Sequence, residues 1–278
     1  MANRVVQPRQ FSNVSHETEQ KGQLRVVLIV PVAREGGQLY GRIRRFRDEL
    51  ASSLKPFDIH IDVVLVTDVF HRPTLEAMMA LAKEGVARAI FLTRRVGKGG
   101  SVKNAAIYTC GDYLVLLDAD TPVPPRVVAN AILLASRKGL DLLIATRIHR
   151  THSTLRKTLS TAYNLLASAL FKTGVRDHQA GFKILSKKAA KIVLVGRVRT
   201  DGLAYDTEVI VWAKKHGLKL GTIEVAWIEQ REKSTISTAR AVLTMLAAIA
   251  ALRLLTLASK HAALRRVPVG TAIDLGQL

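Results

Sequence analysis

The chain has 278 residues, 48% hydrophobic and 23% charged, a balance that excludes a disordered polypeptide and permits one large α/β domain. Its 42 Lys and Arg against 22 Asp and Glu leave a net charge of +20, which calls for an anionic partner: nucleic acid, an anionic membrane surface or a phosphorylated substrate. A single cysteine, Cys110, excludes an internal disulfide, and no CxxC pair or HExxH helix offers a zinc site.

Residues 1–23 are polar and read as a flexible N-terminal tail, neither signal peptide nor membrane anchor. Arg25 to Val32 is a β-branched apolar run and the first strand, ending in a loop that holds Pro31, Glu35 and two glycines. Leu39, Ile43, Phe46, Leu50 and Leu54 then recur at three- and four-residue steps, the spacing of an amphipathic helix. Ile61 to Thr67 is a second strand ending at Asp68, followed by a helix over about Thr74 to Glu84 and a strand over Ala89 to Thr93. Strands alternating with helices of this length predict parallel βαβ units.

The loop Arg94 to Lys103, RRVGKGGSVK, is not a Walker A sequence. It reads either as a phosphate cradle, with backbone N–H groups exposed by glycine and a lysine at Lys98, or as a solvated basic turn. Next, GDYLVLLDADTPVPP runs from Gly111 to Pro125. Its apolar centre predicts a strand buried on both faces, stopping at Asp118-Ala119-Asp120. On extended backbone the two carboxylates project to one side, and such a pair of hard oxygen ligands suits Mg²⁺ or Mn²⁺. In parallel sheets ligands bind beyond the carboxyl ends of the strands, and Glu35, Asp68, Asp118 and Asp120 all fall there.

A helix over Val127 to Lys138 and a strand over Leu140 to Thr146 lead to Arg147. The helix from about Ser153 to Phe171 carries Arg156, Ser160 and Asn164 on one stripe. DHQAGFK follows, with Asp177 and Gln179. Asp206 and Glu208 then open the helix Val209 to His216, where the helix dipole favours acids. The strand Lys219 to Ile228 ends in a charge-dense loop containing Arg231 and Lys233. From Ala241 to Ser259 the only charge is Arg253. This stretch, within residues 235–278, predicts an amphipathic C-terminal helix that packs on the domain, lies in a membrane interface or mediates homo-oligomerisation.

The ordered set of Glu35, Asp68, the Arg/Gly/Lys loop, DAD, Arg147, DHQAGFK, YDTE and W-x-E-Q-R-x-K-S resembles glycosyltransferase family 2, in particular its dolichyl- (polyprenyl-) phosphate mannosyl- and glucosyltransferase branch. The resemblance spans about Arg25 to Ser234 and implies a GT-A type α/β fold, mostly parallel sheet flanked by helices, with residues 24–234 as the catalytic domain. It implies that Asp118 and Asp120 hold Mg²⁺ or Mn²⁺ against a donor diphosphate. Pro31, Glu35, Asp68, Lys98, Gln179, Arg231 and Lys233 would bind the nucleotide sugar, and Arg147, Arg156 and Ser160 the acceptor phosphate. Asp120, Arg147, Arg156 and Asp177 would form the catalytic group. Two departures stand out: the usual acidic pair after the second strand is Thr67-Asp68, and Pro122 replaces the Gln often found two residues beyond the metal-binding acids.

The function implied is metal-dependent, inverting transfer of a hexose from a nucleotide-diphosphate sugar to polyprenyl (dolichyl) phosphate, by an enzyme held at the cytoplasmic face of an anionic membrane. The alternatives are a glycosyltransferase using a soluble glycan or a phosphorylated small-molecule acceptor, or a non-catalytic basic protein binding nucleic acid. Sparse aromatics, 5% of residues, argue against nucleic acid as the partner.

Overall fold

The computed structural model describes residues 23–148, 154–227, 238–258 and 272–274. An eight-stranded sheet runs through the molecule in the order β7-β5-β6-β4-β1-β2-β3-β8. Its strands are β1 (Leu24–Val32), β2 (Ile59–Thr67), β3 (Arg88–Leu92), β4 (Tyr113–Leu116), β5 (Leu142–Ile148), β6 (Lys183–Ser186), β7 (Leu220–Ala226) and β8 (Ala272–Asp274). The pairs β1–β2, β1–β4, β2–β3 and β5–β7 are parallel. Two strands that the sequence reading did not anticipate run antiparallel: β6, wedged between β4 and β5, and β8, on the outer edge of β3.

The sheet is central because its apolar runs face both ways. Along β1, Val26, Leu28, Val30 and Val32 enter one core, while Val27 and Ile29 enter the other. Beyond β4 the alternation continues, Val115 and Leu117 on one side, Leu114 and Leu116 on the other. The first core is closed by α1 (Gln38–Leu54), α2 (Arg72–Lys83) and α4 (Pro125–Lys138); α1 contributes the five buried residues its spacing predicts, Leu39, Ile43, Phe46, Leu50 and Leu54. The second is closed by α3 (Gly97–Ile107), α7 (Tyr205–Lys215) and the short helix α6 (Lys187–Ala189), which continues as a π-helical turn over Ala190–Val195. Each fully buried aliphatic side chain contributes about 1.5–3 kcal/mol.

β1 lies between β2 and β4, so the chain order reverses there, and the crevice beyond the carboxyl ends of β1 and β4 is the sheet's switch point. A third, smaller cluster joins α5 (Thr154–Phe171) to α8 (Thr238–Ala258) through Tyr163, Ala167 and Ile249. Along the described part of α8, Ile249, Leu252 and Thr256 are buried. Leu246, Leu254, Leu255 and Leu257 remain exposed, so apolar residues occupy most of the circumference and the expected polar face is reduced to isolated positions such as Arg253. Among the described residues no helix is long and apolar enough to cross a membrane.

Candidate active site

The acidic pair sits at the switch point, but not on extended backbone. β4 ends at Leu116, and Asp118 to Thr121 form a turn closed by the Thr121 N–H donating to the Asp118 carbonyl at 2.9 Å. Thr121 takes a left-handed φ of 46°, a conformation that costs a non-glycine residue energy and is held here by its surroundings. Proximity of Asp118 and Asp120 thus comes from the turn rather than from strand alternation. Gly181, in the loop before β6, makes room for it: a Cβ there would lie 2.2 Å from Asp118 Oδ2.

The glycine-rich turn that opens α3 is not a free phosphate cradle, since four of its N–H groups are already committed. Those of Val96 and Gly97 donate to Asp68 Oδ2 at 2.8 and 2.5 Å, and those of Gly99 and Gly100 to the Asp201 carbonyl at 2.8 and 3.2 Å. Glycine is needed for close packing: a Cβ on Gly99 would meet the Thr200 carbonyl at 2.6 Å and Tyr205 Cβ at 2.7 Å. Glu208 anchors the opposing segment by accepting from the Arg199 and Thr200 N–H groups. The Asp68 carboxylate, 7% exposed, caps this turn through Oδ2, with Arg95 3.5 Å away.

The loop's purpose is to aim Lys98. Its ammonium donates to Asp118 Oδ1 at 2.6 Å, lies 3.8 Å from Asp206 Oδ2 and sits over the Tyr205 ring at 5.7 Å. On the other side of Asp206, the fully buried ammonium of Lys183 donates to Asp206 Oδ1 and to the Ala180 carbonyl, both at 2.5 Å. Burial opposes the charge on Lys98, but Asp118 and its neighbours outweigh it and hold the ammonium well above the usual lysine range. For Asp118, burial pushes up and Lys98 wins, leaving the carboxyl lowered. Asp120 goes the other way, pushed up to about 6 by burial and by the charge of Asp118.

That last shift tests the site against a divalent cation. Two carboxylates share one turn, and the second resists ionising beside the first, so a cation between them relieves the repulsion. Among the described residues no three His, Cys, Asp or Glu side chains gather as a self-sufficient metal cage. Mg²⁺ and Mn²⁺ need none, since one or two carboxylates with substrate phosphates and water complete their shell. The donor set fits.

Arg147, at the end of β5, forks onto Asp177, Nε to Oδ2 at 2.7 Å and Nη2 to Oδ1 at 2.9 Å, and lies over the Trp227 ring at 5.3 Å. Asp177 is 1% exposed with both oxygens engaged by Arg147, a contact that ties the 176–182 loop to β5. His178 beside it is buried and held neutral, its pKa lowered to about 4 by burial and by Lys183. Gln179 Nε2 points at Met245 Sδ of α8, 3.4 Å away, and not at the Asp118 turn. Glu35 is buried near Arg42, 3.7 Å from it, and Arg42 also reaches the Ala119 carbonyl inside the acidic turn. Pro31 lies in β1 opposite Val66, and Ser160 is half-buried on α5. The Arg156 side chain, Arg231 and Lys233 lie outside the described residues. Sequence reasoning missed Arg42 and passed over Asp206 as an ordinary first-turn acid; the YDTE block was the signal for Asp206, while nothing in the sequence marked Arg42.

Residues 27–193 match the family described as Glycosyl transferase family 2. A dolichyl-phosphate beta-glucosyltransferase of Trichomonas vaginalis, ALG5A, is 26% identical over 73% of this chain and 65% of its own length. Glycosyltransferase AglD of Haloferax volcanii is 28% identical over 79% of this chain and 35% of its own. The chain thus spans less than two thirds of these two relatives. Among solved structures, mannosyl-3-phosphoglycerate synthase from Rubrobacter xylanophilus superposes with a TM-score of 0.64 at 18% identity, covering 88% of this chain and 78% of the other. Glucosyl-3-phosphoglycerate synthase from Mycobacterium tuberculosis, in complex with Mn²⁺, UDP-glucose and phosphoglyceric acid, superposes at 0.61 and 16%, covering 83% and 80%. These likenesses establish the GT-A type fold, and the nucleotide-sugar complexes among them carry Mn²⁺. They also correct the expected transfer to polyprenyl phosphate: the complexes hold phosphoglyceric acid or glycerol 3-phosphate, small phosphorylated molecules without a lipid chain. From the matched residues and the site they build, the chain belongs to glycosyl transferase family 2.

Proposed function

We propose that this protein transfers a sugar from a nucleoside-diphosphate sugar to a soluble, phosphorylated small-molecule acceptor. The observation that carries the reading is the Asp118–Asp120 turn at the switch point with Lys98 drawn against it. Support for the acceptor class comes from the solved structures sharing this fold, whose complexes pair UDP-glucose with phosphoglyceric acid or glycerol 3-phosphate. A net charge of +20 suits two anionic substrates.

In the transfer, a hydroxyl oxygen of the acceptor bonds to the anomeric carbon. The bond from that carbon to the diphosphate breaks, and its electron pair leaves with the diphosphate. The hydroxyl proton passes to the departing diphosphate, whose new terminal oxygen is the strongest base the reaction creates. Asp118 and Asp120 would hold a divalent cation, which supplies Lewis-acid neutralisation of the leaving group. Lys98 adds a second positive charge at the same place. Asp118, Asp177 and Asp206 are each engaged by a cation, so these carboxylates work by positioning and electrostatics rather than as free bases.

The donor half is tested by thermal denaturation with a panel of nucleotide sugars and Mn²⁺. At about 100 times its dissociation constant the true donor stabilises by about 2.7 kcal/mol. That raises Tm by roughly 5–10 °C for a protein of this size. EDTA should remove most of the shift. No shift with any nucleotide sugar would remove the basis for the donor assignment.

A further inference from the structure

Lys98 is held in a way that a phosphate-binding lysine alone does not require. Its backbone is pinned on both sides, by Gly97 N–H on Asp68 and by Gly99 and Gly100 N–H on Asp201. The packing that excludes a Cβ at Gly97, Gly99 and Gly100 leaves the loop little room to shift. What can move is the side chain, which is 22% exposed and holds its ammonium between Asp118 Oδ1 at 2.6 Å and Asp206 Oδ2 at 3.8 Å. Asp206 cannot take over as a full partner, because Lys183 already occupies its Oδ1.

We propose that Lys98 is a tethered competitor for the cation site: its ammonium occupies Asp118 until a nucleoside diphosphate arrives to accept it, so that a divalent cation binds well only together with the nucleotide. The inference rests on the reading of Asp118 and Asp120 as the cation's carboxylates. A cation entering alone must either share Asp118 with an ammonium already on it or displace that ammonium toward a half-satisfied Asp206. Both options weaken binding through like-charge repulsion. When a diphosphate enters with the cation, its oxygens offer Lys98 a new partner, and the carboxylate is released at little cost. Loading becomes concerted, and the site is protected from filling with a cation that has no donor to act on.

The test is titration of the full chain with Mn²⁺, followed by the electron paramagnetic resonance signal of free Mn²⁺, with and without UDP or GDP. The variants are Lys98→Met, Lys98→Arg and Asp120→Asn, each checked for folding by its far-ultraviolet circular dichroism. Removing the ammonium in Lys98→Met is expected to tighten Mn²⁺ alone by about tenfold, a size typical of coupled sites. The same change should reduce the gain that the nucleotide brings. Lys98→Arg keeps the charge and should behave like the parent. Equal or weaker binding of Mn²⁺ alone by Lys98→Met would overturn the inference while leaving the cation site standing. If the parent failed to bind Mn²⁺ even with nucleotide, or Asp120→Asn bound it as well as the parent, the underlying site reading would fall instead.

Discussion

Gly181→Ala is expected to lower kcat/KM for sugar transfer by about a hundredfold or more, the scale of loss when a reacting group is misplaced by about 1 Å. The new methyl would stand 2.2 Å from Asp118 Oδ2 and 2.6 Å from its Cγ, closer than carbon and oxygen can approach. The yielding partner is a short side chain rather than backbone, so the Asp118 carboxylate swings away from both Lys98 and the position it shares with Asp120. Gly181 does not need a left-handed φ, which means alanine brings no backbone strain of its own. Tm should therefore change little while Mn²⁺-dependent stabilisation by the donor disappears. A Gly181→Ala protein with parental kcat/KM would show that the position of Asp118 is unimportant.

Lys183→Met is expected to act on stability first. The lysine is fully buried, and its ammonium neutralises Asp206, which is 3% exposed. Burial pulls the Lys183 pKa down and the attraction of Asp206 only partly restores it, so the pair is held together against a large desolvation cost. Removing one partner of a buried pair costs about 3–5 kcal/mol, because the other charge stays behind. For this chain length that lowers Tm by about 10 °C. Adding Asp206→Asn in the same chain should recover part of the loss, since the two effects are coupled through one contact. An unchanged Tm in Lys183→Met would mean that Asp206 is neutralised by Lys98 alone.

Much of this arrangement was legible from the chain itself. The run Val26 to Val30 in β1 and the run in β4 were apolar throughout because both faces of those strands meet a core, and the spacing along α1 named its buried stripe. What escaped the sequence depends on partners distant along the chain. β6 is only four residues long and begins with a buried lysine, so neither length nor polarity marked it as a strand. The capping role of Asp68 was hidden because its hydrogen-bond donors, Val96 and Gly97, lie 28 and 29 residues away. The glycine stretch read equally as a phosphate cradle or a basic turn because the Asp201 carbonyl that accepts from Gly99 and Gly100 is about 100 residues downstream. The pairing of Asp177 was hidden for the same reason: Arg147, which engages both its oxygens, precedes it by 30 residues. Residue types pointed to an anion-handling site; which carboxylates are engaged by partners within the chain emerged only from the fold.

We propose that the Asp118–Asp120 turn supports transfer from a nucleotide sugar to a soluble phosphorylated acceptor. Its most direct measurement is mass spectrometry of reactions containing the full chain, Mn²⁺, a panel of UDP- and GDP-sugars, and a panel of small phosphorylated alcohols and hydroxy acids. The expected product is heavier than one acceptor by one sugar residue, formed with Mn²⁺, lost in EDTA and lost in Asp120→Asn. Undiminished transfer by Asp120→Asn, or transfer to a polyprenyl phosphate with none to any soluble acceptor, would contradict the proposal.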